Sequence, residues 1–397
     1  MLTTFNITQQ GEYHIKKGSP CQDYSKTLRI HSAPLACDLI ISAVSDGVGS
    51  CLYSQDGSRE AVETAVGFVI DGLNDEKAKK DDAYISELLH ESFEAAYDAV
   101  LKYAEDHEYP FAQLDSTLTV SIYDGSTVWF GHIGDDGIVV IYTDGSYEMI
   151  TDRHKGEFAS SVCPLREIKK WQFGKTEKPV ASFALMTDGV LDYLVGSDFY
   201  DKRIFYPFIQ PVLAQAMDGD EKMDQLKAEF ETYLKDDPDT PSGFRKLVTD
   251  DISIAVVQNS ESVSALPAIS FDLEQWDRET EEYRRKAYEK LYEKKRKPSK
   301  DQDEKAEQRK PLIVDPFEDD KDELDILTSH DSQPTAEASD QNEQTPDAEE
   351  INEAAEQVIS DFVEMGNTAG KNLRRLVEST RNLTNVIYSS LKDRKKE

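Results

Sequence analysis

Six short apolar runs dominate the first 260 residues: Leu39–Val44, Ser116–Tyr123, Thr127–His132, Gly137–Tyr142, Ser182–Met186 and Ile252–Val257. They are rich in β-branched residues and bounded by Asp-Gly or Asn/Ser turns, as strands are. Thr119–Asp124 and Thr127–Ile133 flank Gly125-Ser126, and Val139–Thr143 and Tyr147–Ile150 flank Asp144-Gly145, so they read as successive hairpins. Helical spacing appears separately, over 58–73 and over 82–106, where Ile85, Leu88, Leu89, Phe93, Ala96, Val100 and Ala104 recur on one face. Two further helices are expected at 204–217 and 222–234. Hairpins in succession with segregated helices point to α+β layers and away from a parallel βαβ wind.

Charge divides the chain. It has 397 residues, 78 acidic against 45 basic, and a formal net charge of −33. Such a balance opposes sequence-independent binding to nucleic-acid phosphates and suits cations or basic partners. The stretch ETEEYRRKAYEKLYEKKRK reads as a solvated helix, whereas residues 311–364 hold 18 acidic side chains and the single basic Lys321. Beyond it, Ile351, Ala355, Val358, Phe362, Met365, Ala369, Leu373, Leu376, Leu383 and Ile387 form an apolar stripe at helical spacing. The expected organisation is a folded domain at 1–262, a charged helical linker at 263–310, a disordered acidic segment at 311–350 and an amphipathic helix at 351–397. That last helix either folds back onto the domain or serves for docking or self-association. The acidic segment before it is expected to be a solvated spacer, the alternative being a strap over the cleft. The N-terminus shows no export pattern and no run is long enough to span a bilayer. Cys21, Cys37, Cys51 and Cys163 have no metal-finger spacing, and reduced thiols in a cytoplasmic protein are expected.

Chemistry is carried by aspartates at strand ends. Ile40–Val44 and Phe183–Met186 each deliver an Asp-Gly, namely Asp46-Gly47 and Asp188-Gly189, while Asp250 opens the apolar run 252–257 and Asp23 lies in PCQDY. Several carboxylates gathered at one rim of a sheet would repel one another unless a multivalent cation sat among them. All-carboxylate ligands favour hard cations, Mn2+ or Mg2+, over Zn2+. A glycine such as Gly47 lets its carbonyl approach a metal. Two such ions about 4 Å apart support metal-assisted hydrolysis without a protein nucleophile. His132 reads as a packed polar residue, Cys21 as buried filler, and Trp129 and Trp171 as core or sheet-face residues. Asp135 and Asp136 read as structural, turning a hairpin.

In order, QD, SDGVGS, STLTV, GHIGDD, LMTDGVLD and DDIS resemble the motifs of the metal-dependent protein phosphatases of the PP2C (PPM) type, over roughly residues 10–258. The run from His14 to Asp23, H-I-x-x-G-x-P-C-Q-D, is similar to the bacterial branch of that family. The resemblance implies a four-layer α-β-β-α sandwich, two antiparallel sheets flanked by helices, with the metals in a cleft at one end. It implies that Asp46 bridges two metal ions, that the Gly47 carbonyl ligates one, and that Asp188 and Asp250 are the later ligands. Asp23 would reach the site directly or through water. The implied reaction is attack of a metal-bridged hydroxide on a phosphoserine or phosphothreonine of a protein substrate, with Asp46, Asp188 and Asp250 carrying the catalysis and a serine/threonine kinase as a natural partner. A third, weaker metal site would involve Asp115.

The departures from that pattern are specific. The N-terminal acidic pair is Gln22-Asp23, so one carboxylate is missing. The arginine that commonly holds the substrate phosphate is absent, and His14, Lys16 or Lys17 would take its place. The arginine of GDSR is lost in Gly134-Asp135-Asp136-Gly137, and the asparagine of the last motif is Asp251. These departures motivate a rival reading, a non-catalytic relative that binds a phosphoprotein or a partner kinase. Four retained carboxylates favour the enzyme, since a binding surface gains nothing from mutually repelling charges.

Overall fold

The computed structural model describes residues 1–154, 162–194, 203–235 and 249–276, together with residues 278, 279, 282, 285 and 286. Ten strands form two five-stranded antiparallel sheets. The first contains β1 (Leu2–Gln9), β6 (Gly137–Tyr142), β7 (Tyr147–Met149), β9 (Val180–Met186) and β10 (Ile252–Asn259), in the order β1-β10-β9-β6-β7. The second contains β2 (Tyr24–Ser32), β3 (Cys37–Ser45), β4 (Leu118–Tyr123), β5 (Val128–Ile133) and β8 (Gln172–Lys175), in the order β2-β3-β4-β5-β8. The helices are α1 (Glu12–Lys17), α2 (Ser54–Asn74), α3 (Asp82–Asp106), α4 (Asp188–Leu194), α5 (Tyr206–Leu213), α6 (Asp220–Lys235) and α7 (Ser260–Ser264).

Layering follows from side-chain alternation. Along β3, Leu39, Ile41 and Ala43 join α2 and α3 in one core, while Ile40 and Val44 join β6, β9 and β10 in the core between the sheets. A strand covered on both faces must be apolar throughout, which explains the unbroken run 39–44. Phe93 of α3 is fully buried, and a Cβ on Gly131 would lie only 2.5 Å from its ring. Truncating Phe93 to alanine would therefore cost about 3–5 kcal/mol, the usual loss for a filled core site. On the other side, α5 and α6 cover the first sheet. Ser182 Oγ donates to the Leu213 carbonyl at 2.6 Å, Gln258 Nε2 to that of Val212 at 2.6 Å, and Phe208 meets Phe230 edge-on. The result is the expected four-layer α-β-β-α sandwich.

Both expected hairpins form, β4 with β5 and β6 with β7. In their turns, Asp124 Oδ1 accepts from the backbone amides of Ser126 and Thr127, and Asp144 Oδ1 from that of Ser146. Such Asx turns are why aspartate recurs there. The helix at 82–106 appears with its expected bounds and is capped by Asp81, which accepts from the Tyr84 amide.

The described residues of Met1–Asp272 form one unit, and those from Leu273 onward belong to a second. Within that second stretch the described residues make i,i+4 pairs, Arg278 with Glu274 and Lys286 with Glu282, as a solvated helix does. The acidic segment 311–350 and the amphipathic segment 351–397 lie outside the described residues. Among the described residues no helix is long and apolar enough to cross a membrane.

Candidate metal centre

Strand register brings the aspartates to one rim. In the first sheet Met186 is opposite both Gly137 and Ile254, so the end of β9 lies beside the starts of β6 and β10. In the second, Val44 is opposite Thr119, which is opposite His132, and Ser45 is opposite Tyr24. Each of these positions is one to four residues from an aspartate. Asp23 precedes β2, Asp46 follows β3, Asp135 and Asp136 turn β5 into β6, Asp188 follows β9, and Asp250 and Asp251 precede β10.

At the centre, carboxylate oxygens of Asp46, Asp135 and Asp188 all lie within 4.8 Å of one another. This corrects the sequence-based reading of Asp135 as structural: it belongs to the trio, while Asp23 and Asp250 flank it. Gly134 has φ +118, and a Cβ there would strike the Thr117 side chain at 2.4 Å. Only glycine makes that turn, and the turn aims Asp135 at the rim.

Hydrogen bonds hold the flanking groups. The Asp46 amide donates to Thr117 Oγ1 at 2.7 Å, the Thr117 amide returns a bond to the Asp46 carbonyl at 2.8 Å, and Thr117 Oγ1 donates to Asp136 Oδ2 at 2.5 Å. Thr187 Oγ1 donates to Asp23 Oδ2 at 2.7 Å and accepts from the Ser253 amide at 2.9 Å. Gly47 is closed to any side chain, since a Cβ would sit 2.7 Å from the Gln22 carbonyl and 2.9 Å from Ser54 Cβ.

Burial pushes the Asp46 carboxyl well above the ordinary carboxylate range, and Asp188, Asp23, Asp135 and Asp136 add to the rise. Asp188 moves the same way through burial and then Asp135, Asp192, Asp250 and Asp23. Asp23 is pushed up to about 8 by burial and by Asp251. Asp250 is shifted upward too, through crowding of its carboxyl by surrounding atoms although the residue's surface stays open. Asp136 is fully buried and raised, and its Oδ1 has no hydrogen-bond partner among the described residues. Each pair of charges at this spacing repels by on the order of 3 kcal/mol at an effective dielectric constant of about 20. Without counter-charge the rim must therefore hold protons. A divalent cation would replace them, and an all-oxygen donor set fits a hard one. By that test the residues fit the metals expected of them.

Two basic side chains enter the rim. Arg153, whose side chain is 2% exposed, places Nη1 2.5 Å from Asp192 Oδ1 and donates from Nε to the Asp135 carbonyl at 2.8 Å. It braces the β5–β6 turn against α4 and was not among the candidate residues. Its only sequence signal was a lone arginine after an apolar run. His14 is the other. Expected to meet phosphate, it is instead turned inward, 6% exposed and beside Asp251. Lys16 and Lys17 stay exposed on α1, the first paired with Glu12 at 2.6 Å and the second over the Tyr13 ring. Asp115, the residue expected at a third metal site, receives Arg166 Nε on both oxygens, at 2.7 and 2.9 Å. His132 is buried between Thr119 and the Asp152 carbonyl, and desolvation lowers its pKa to about 3. Burial and Asp23 raise the Cys21 thiol, so it is no thiolate nucleophile.

The sequence model of the protein phosphatase 2C family matches residues 10–231, more than half of the chain. The chain belongs to the protein phosphatase 2C family. No curated protein matches it. Among solved structures it is similar to a serine/threonine phosphatase from S. agalactiae, with 17% identity and a TM-score of 0.45 over 65% of this chain and 99% of that one. It is also similar to the catalytic domain of the serine/threonine protein phosphatase PstP in complex with two manganese ions, with 16% identity and a TM-score of 0.41 over 65% and 97%. A third is PppA, a regulatory component of the type VI secretion system in Pseudomonas aeruginosa, with 17% identity and a TM-score of 0.43 over 65% and 97%.

Proposed function

We propose that this chain is a protein serine/threonine phosphatase that hydrolyses phosphoserine and phosphothreonine esters with the help of two divalent cations, Mn2+ or Mg2+. The observation that carries the reading is the convergence of Asp46, Asp135 and Asp188 within 4.8 Å at a rim where burial and neighbouring carboxylates raise the pKa values of Asp46 and Asp188. Asp46, Asp135 and Asp188 would hold the cations, with Asp23, the Gly47 carbonyl and Asp250 alongside. When bound, such ions lower the pKa of water and polarise a phosphoryl oxygen.

The chain's own groups do the rest. Thr117 fixes the Asp46 backbone, Thr187 orients Asp23, and Arg153 braces Asp135 against α4. Rigid placement matters because positioning supplies a large share of the barrier reduction in phosphoryl transfer. The carboxylates repel a phosphate dianion until cations neutralise them, so hydrolysis should depend strictly on the metal. Exposed Lys16 and Lys17 are proposed to attract the substrate phosphate, in place of the absent arginine. The fold domain at 1–262 is proposed as the catalytic unit, with a phosphoprotein as substrate and a serine/threonine kinase as its counterpart.

The test is release of phosphate from p-nitrophenyl phosphate and from phosphoserine and phosphotyrosine peptides by the full chain, with and without Mn2+, beside Asp46→Asn. Expected are Mn2+-dependent turnover, a preference for phosphoserine, and a loss of at least about 100-fold in the variant. Turnover in EDTA, or full activity in Asp46→Asn, would overturn the reading.

A further inference from the structure

At Asp251, where the family pattern carries asparagine, this chain places a second carboxylate beside Asp250, and its surroundings give it a purpose. Asp251 is 2% exposed. Its Oδ1 accepts from the Gly11 amide at 2.6 Å, its Oδ2 from the Gln22 amide at 2.6 Å, and His14 Nδ1 lies 2.8 Å from Oδ2. One carboxylate thus grips both ends and the middle of the segment 11–22. The segment is seated directly on the backbone before β10. A Cβ on Gly11 would lie 2.3 Å from the Asp250 carbonyl carbon, and the Tyr13 amide donates to the Thr249 carbonyl at 2.9 Å. Asp23 follows the gripped Gln22, and Asp250 precedes the gripping residue.

Asparagine could not make these contacts. It offers one oxygen, and its amide group would point a donor at one of the two donating N–H groups. The doubly accepting carboxylate and the histidine against it therefore form a matched set, with the charge satisfied by short bonds as buried charges require.

We propose that Asp251 and His14 are positioning residues, a clamp that holds Asp23 and Asp250 at the rim and thereby sets the affinity for the divalent cation. The proposal rests on reading the rim as a cation centre. Partners that orient a metal ligand typically change affinity by about 10–100-fold when removed.

The test is calorimetric titration of Mn2+ into the full chain, wild type against His14→Ala and Asp251→Asn. Both variants should weaken Mn2+ binding by about tenfold or more. His14→Ala is decisive, because it leaves the Asp251 charge in place: were the effect of Asp251 only its charge, losing His14 would leave Mn2+ binding unchanged or tighter. That result would overturn the clamp. Hydrogen exchange of residues 11–22 in the wild type needs no variant to fold. Coupling is reciprocal, so Mn2+ should slow exchange there, and unchanged exchange at saturation would equally overturn it. Wild type that binds Mn2+ with these couplings yet hydrolyses no phosphoester removes the phosphatase reading and leaves the clamp. Wild type that hydrolyses while both variants bind Mn2+ as it does removes the clamp alone.

Discussion

In the metal-free chain, stability should fall as pH rises through neutrality, and Asp46→Asn should relieve it. The unfolded chain titrates its aspartates at the ordinary value of 3.8, whereas Asp23 holds its proton up to about 8 in the fold. Asp46, Asp136 and Asp188 are likewise raised. Between those limits the folded state binds more protons than the unfolded one. The stabilisation is complete below the unfolded pKa and is lost as pH climbs toward the folded one. One excess proton corresponds to a slope of about 1.4 kcal/mol per pH unit. From about pH 5.5 to about pH 7.5, Asp23 alone accounts for roughly 3 kcal/mol. In a domain of this size that lowers the melting temperature by roughly 6–12 °C. The assay is thermal unfolding followed by circular dichroism in EDTA across that range. Asp46→Asn removes one of the repelling carboxyls, so it should melt higher than wild type at the alkaline end and show a shallower slope. Mn2+ at about 100 times its dissociation constant should return about 2.7 kcal/mol to the wild type and little to the variant. A wild-type melting temperature that holds or climbs with pH in EDTA, or a variant with the wild-type slope, would refute the reasoning.

Thr117→Val keeps the shape but strands the Asp46 amide and leaves Asp136 Oδ2 only the long bond from Thr119 Oγ1 at 3.5 Å, so it should cost about 1–3 kcal/mol in urea unfolding, while Thr117→Ser restores most of it. Equal stability of the valine and serine variants would refute the hydroxyl's role. Arg153→Met removes the Nε bond to the Asp135 carbonyl and the ion pair with Asp192, and should destabilise the chain by about 1–2 kcal/mol in thermal melts; an unchanged melting temperature would refute the brace.

How much of this was legible in the sequence depends on the range of the cause. Asp46, Asp188 and Asp250 could be singled out because each borders an apolar strand, and strand and turn are written in neighbouring residues. The α3 bounds were legible for the same reason. β1, β2 and β8 were not, because Leu2–Gln9, Tyr24–Ser32 and Gln172–Lys175 lie at or next to sheet edges and mix polar residues on both faces. In β1 the hydroxyls of Thr4 and Thr8 pair with Thr27 and Ser25 of β2, so polar residues there do interior work.

What the sequence by itself determined was seven of the ten strands, their hairpins and the delivery of carboxylates at strand ends, because alternation and turn chemistry act between residues a few positions apart. Tertiary structure decided the rest. Asp135 and Asp115 look alike in sequence, each an aspartate beside a strand, yet one meets Asp46 and Asp188 while the other meets Arg166. His14, a free basic group by sequence, is bound to a carboxylate 237 positions away because β10 starts beside the beginning of α1. Sheet register sets those meetings, and register is a sum over many backbone pairings that no single segment contains.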